Sequence, residues 1–131
     1  MKTLALIARI LLGLIFLVFG LNGFLHFIHM PPPPGLAGAF GNILAESRYS
    51  VVVFGVQLIC AILLLVNQYV PLALAMLAAV IVNILTFHTT MQPAGLPLAL
   101  LVTILWLIVA SQYKSAFMPL LTRNPSNEVH H

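Results

Sequence analysis

The sequence is almost without charge, and that scarcity excludes more than any motif it contains. Lys and Arg number five and Asp and Glu two, 5% of the residues together, where a soluble domain carries about a quarter. The cations are scattered rather than clustered, so there is no nucleic-acid footprint. Cysteine occurs once, as Cys60 inside an apolar run. That excludes a disulfide framework, a CxxC pair, a cysteine metal site and thiol redox chemistry within one chain. The two acids, Glu46 and Glu128, fall in a loop and in the tail. A proton relay or cation site within the membrane would lack its carboxylate, and a catalytic metal would be short of ligands.

What is present is apolar. Hydrophobic residues make up 62% of the chain and the mean hydropathy is +1.13, so lipid is the expected solvent. At about 20 apolar residues per crossing, the 131 residues are nearly used up by four helices and one longer loop. The expected fold class is all-α: an integral membrane four-helix bundle with a Pro-rich first loop and a short interfacial helix. The opening run has no small-x-small cleavage site at Leu21-Asn22-Gly23, and Arg9 interrupts it. It therefore reads as a retained helix rather than a secretory signal.

The spans are expected at about 4–28, 51–66, 71–90 and 96–112. Pro31 to Pro34 stop the first, because proline lacks the N–H that helix continuation needs. From Gly35 to Ser47, Leu36, Phe40, Ile43 and Leu44 recur at helical spacing over too short a stretch to cross. This segment should lie at the interface or cap the bundle. Asn67 can close the second span, and Pro71 suits the first turn of the third. Gln92-Pro93-Ala94-Gly95 reads as a turn, and residues 122–131 as a disordered tail.

Four crossings put both termini on one side, with Lys2, Arg9, Lys114 and Arg123, against Arg48 on the other. The positive-inside rule then places both termini in the cytoplasm and the Pro-rich loop outside. Arg9 serves as a topology anchor, snorkelling to the headgroups.

On the first helix, Gly13, Gly20 and Gly23 fall on one stripe with Arg9 and Phe16, a helix-packing face that lets a neighbouring backbone come close. A second set is polar: Asn22, His26, Gln57, Asn83 and His88. Alternating helix directions place all five in the outer half, and the cost of bare polar groups in hydrocarbon demands a partner for each inside the bundle. Three readings stand side by side. One is a hydrogen-bonded layer that fixes helix register. Another is a pocket for an isoprenoid quinone, whose carbonyls need donors and whose ring needs apolar walls. The third is a haem held by His26 and His88, a thin motif with no other haem signal beside it. His29, His130 and His131 read as solvated.

The segments Ala8-Arg9-Ile10-Leu11-Leu12-Gly13, Asn22-Gly23-Phe24-Leu25-His26-Phe27, Met30 to Gly38, Tyr69-Val70-Pro71-Leu72-Ala73 and Asn83-Ile84-Leu85-Thr86-Phe87-His88 together resemble the DoxX-like family of small bacterial membrane proteins, over residues 5–121. The resemblance implies one DoxX-like transmembrane domain in a bacterial cytoplasmic (inner) membrane and an association with thiosulfate:quinone or quinol oxidoreductase activity. It also implies a Lys and a Glu one turn apart in the second helix and an Arg in the following hairpin. Phe54, Gln57 and Gln68 stand there instead, which favours binding or structure over catalysis. The leading expectation is an accessory subunit beside a membrane redox partner, with an outer-leaflet quinone pocket. A structural or assembly protein, whose glycine-lined first helix packs against a second copy in a homo-oligomer or against another membrane protein, is the alternative. A small-molecule transporter, which would need an oligomer, is the third.

Overall fold

The computed structural model describes residues 2–25 and 34–123. The expected end of the first span, His26, His29, Pro31 to Pro33 and most of the tail lie outside them. The described residues are helical, without a strand: α1 (Lys2–Leu25), α2 (Leu36–Glu46), α3 (Tyr49–Val66), α4 (Val70–Thr90), α5 (Leu96–Ala110) and a short α6 (Lys114–Phe117). Four helical stretches are long and apolar enough to cross a membrane, the last running from Pro93 to Leu121. The chain is an all-α, multi-pass four-helix bundle.

Its joints follow from local chemistry. Gly35, before α2, has φ 72°, a positive φ that glycine adopts without steric cost. Asn67 closes α3 in the left-handed helical region, at φ 58° and ψ 42°, while Gln68 N–H donates to Leu63 C=O at 3.0 Å. This is the bond of a Schellman closure, which satisfies a carbonyl the helix end would leave open. Tyr69 follows at φ 52° and Pro71 enters the first turn of α4, where its missing N–H does no harm. The chain reverses within three residues. At the other end, a 3-10 turn at Pro93–Gly95 leads into α5. The fourth span, expected to end near 112, leaves α-helical geometry after Ala110 and continues as 3-10 turns around α6.

The spanning helices form a ring: α1 packs against α3 and α5, and α4 packs against the same two. Their inward faces supply Leu12, Phe16, Cys60, Leu64, Leu74, Leu77, Val102 and Leu105. Leu14, Val18, Ile59, Ile62, Val82 and Ile104 point outward and are exposed, the distribution expected where hydrocarbon is the surrounding medium. The expected glycine face lies against α3. A Cβ at Gly13 would come within 2.9 Å of Leu65, at Gly20 within 2.9 Å of Leu58, and at Gly23 within 2.2 Å of Phe54. The alternative that gave this face to a second copy loses its surface, because the chain's own third helix covers it.

Side-chain hydrogen bonds tie the helices to one another. Trp106 Nε1–H on α5 donates to Leu74 C=O on α4 at 2.8 Å, and the Arg9 guanidinium donates to Leu64 C=O on α3. Arg9 thus reaches across the bundle as well as marking its terminal end. The carbonyl it meets belongs to the negative, C-terminal end of α3, where a cation is stabilised.

Candidate functional site

The α2 end of the bundle, where α1 finishes and α3 begins, is where the polar set was expected. The structure distributes these residues instead of gathering them. His26 lies outside the described residues. Asn22, near the end of α1, is half-buried and lines a groove of about 240 Å³ with Gly23, Leu44, Ser50 and Phe54. The groove exists because Gly23 gives up its side-chain volume to the Phe54 ring and α2 lies across the opening, with Gly41, Leu44 and Ala45 as its wall. Gly41 adds no bulk, and a Cβ there would meet nothing within 4 Å. The walls are aromatic and aliphatic, and the polar groups are an amide and a hydroxyl. Such a site orients a small amphipathic ring.

Gln57 faces the interior one turn deeper on α3. It is 6% exposed, the one buried polar side chain among the described residues. No enclosed side-chain nitrogen or oxygen is left without a partner among those residues. It does not line the Asn22 groove.

Asn83 and His88 depart from expectation in their partners. Asn83 is exposed, and its amide donates to Ala79 C=O one turn back at 3.0 Å. Thr86, Thr89 and Thr90 do likewise with Val82, Leu85 and Thr86. A helix carbonyl has a second lone pair, so a polar side chain can be satisfied by its own helix without a partner in the bundle. His88 is half-buried, with Nδ1 at 2.8 Å from Ile84 C=O. A carbonyl only accepts, so Nδ1 carries the proton, and in the neutral ring Nε2 is left as an acceptor. That nitrogen cannot donate to a quinone carbonyl. It also lies over Gly95, where a Cβ would fall 2.2 Å from it, leaving no room for an iron at its lone pair in this rotamer. Among the described residues no group of three or more His, Cys, Asp or Glu is placed to hold a metal.

Residues that matter here and carry no obvious sequence signal are Ser50 and Phe54, and the small residues of α2. Phe40 of α2 stacks near Phe87 of α4, ring centroids 5.5 Å apart, which ties the cap to the far side of the ring. The only available signal was spacing: Phe40 and Leu44 lie one turn apart on the segment expected to cap the bundle. Among the described residues the arrangement offers a place to bind. Compared with protein-family models, curated proteins and solved structures, the chain finds no match in any of the three.

Proposed function

We propose that the chain is a DoxX-like accessory subunit of a bacterial cytoplasmic-membrane redox complex, its termini cytoplasmic, and that its outer-leaflet groove receives the ring of an isoprenoid quinone. The observation that carries this reading is the pairing, in one groove of about 240 Å³, of Asn22 and Ser50 with Phe54 and Leu44. Amide N–H and hydroxyl donors suit quinone carbonyls, and the aromatic and aliphatic walls suit the ring. The volume lies just below the range of about 300–1,000 Å³ for drug-sized ligands, which fits one ring with its prenyl tail left in lipid. His88 and Asn83 are not needed for it. The excess of Lys and Arg at the terminal end supports the orientation.

The test fills the groove without disturbing the bundle. Gly41→Leu places side-chain atoms where the structure has open space. Quinone extracted per chain in mild detergent should fall to the background level in this variant while the melting temperature holds. Equal quinone in both proteins would remove the groove from the account.

The assembly reading keeps one specific support. Ala75, Ala79, Asn83 and Thr86 form an exposed strip on α4, and small and polar residues at helical spacing are how helices associate in lipid. Under this reading, Ala79→Cys in a Cys60→Ala background gives disulfide-linked dimers in native membranes. Monomer alone under oxidising conditions would end it.

A further inference from the structure

The terminal end of the bundle holds a second cleft, of about 380 Å³. Its polar lining is Lys2 and Arg9 on α1, Asn67 in the α3–α4 turn, and Gln112 and Tyr113 just beyond α5. Every one of these side chains can donate a hydrogen bond, and none is a carboxylate. Glu46 belongs to α2 at the opposite end, and Glu128 lies outside the described residues. Arg9 gives one N–H to Leu64 C=O, which leaves the rest of its planar fork for another acceptor. Among the described residues the side chains of Lys2, Asn67, Gln112 and Tyr113 have no hydrogen-bond partner. The start of α1 adds the positive end of a helix dipole. Two cations and three neutral donors around one cavity, with no acid among the described residues that line it, are complementary to an anion.

The geometry points to a binding site for a phosphate-bearing anion, carried by an anionic phospholipid or by a soluble phosphate species. Guanidinium forks match phosphate oxygens two at a time, and ammonium groups add charge. Lys2 lies at the start of a spanning helix and Arg9 about 10 Å deeper along it, the depth of a membrane headgroup layer. Ala5, Leu6 and Val109 supply an apolar floor along which an acyl chain can lie. This site is at the other end of the molecule from the quinone groove and does not depend on that reading.

The experiment uses the full chain in neutral detergent and follows its melting temperature. One arm adds short-chain phosphatidylglycerol against phosphatidylcholine of equal chain length. The other adds inorganic phosphate against sodium chloride at equal ionic strength. A bound anion raises the melting temperature by mass action. Arg9→Gln also removes the tie to Leu64, so Lys2→Glu is the reporter: Lys2 is exposed and unbonded, and the variant should melt with the native chain before ligand is added. A rise with phosphatidylglycerol alone assigns the site to a lipid, and a rise with inorganic phosphate assigns it to a soluble anion. In either case Lys2→Glu should need about tenfold or more ligand for the same rise. No rise in either arm, or a Lys2→Glu variant that responds like the native chain, overturns the proposal.

Discussion

The seam between α1 and α3 and the seam between α4 and α5 solve the same problem by opposite means. Lipid offers helices no hydrophobic reason to meet, so contact must come from close packing or from hydrogen bonds. The α1–α3 seam removes side chains: Gly13, Gly20 and Gly23 admit Leu65, Leu58 and Phe54. The α4–α5 seam adds them: Trp106 reaches the Leu74 carbonyl, and the His88 ring covers Gly95 in the connecting turn. The first device spreads its effect along several turns of helix. The second concentrates it in two side chains, and a single substitution can undo each.

The largest effect should come from closing the first seam. Gly23→Leu drives a branched side chain into the Phe54 ring and should cost about 3 kcal/mol of bundle stability, read as a lowered unfolding midpoint in mixed micelles. Gly41→Ala, in open space on α2, should be neutral or stabilising by up to about 1 kcal/mol through helix propensity. Equal effects at the two glycines would mean that the seam is looser than the Gly23–Phe54 approach implies.

Next in size is Gly95→Ala, which displaces the His88 ring and should cost about 1–2 kcal/mol. In a double-mutant cycle with His88→Ala, much of that loss should disappear. Additive losses would show that the two residues do not share one space. The smallest is Trp106→Phe, which keeps an aromatic body beside Phe117 but loses the hydrogen bond. About 1 kcal/mol is expected in a lipid-solvated bundle, measured in the same micelles. No change in midpoint would make the Trp106 bond incidental to the second seam.

The same contrast explains what could be read before the fold was seen. Helix positions were legible because proline, glycine and asparagine mark the joints chemically: Asn67 and Pro71 turn the chain where expected, and the short stretch after Gly35 is α2. The glycine spacing announced a close approach of a neighbouring helix, but spacing cannot name that neighbour, which is α3. The polar residues were harder. Their depth followed from helix direction, yet Asn83 and the α4 threonines bond to their own helix, an outcome that periodicity cannot distinguish from a bond across the bundle. Arg9 and Trp106 were invisible as ties for a related reason: each meets a backbone carbonyl, and every helix residue offers one. The groove was half legible, since Asn22 was marked as polar in an apolar span, whereas Ser50, Phe54 and the α2 wall join it only through the packing of α2 over α3.

The account rests on the groove at the α2 end, and the most direct measurement is quinone per chain in the purified native protein beside Gly41→Leu, at matched melting temperature. The reading predicts near-stoichiometric quinone in the native protein and background quinone in the variant. Quinone absent from the native protein, or retained equally when the groove is filled, would contradict it.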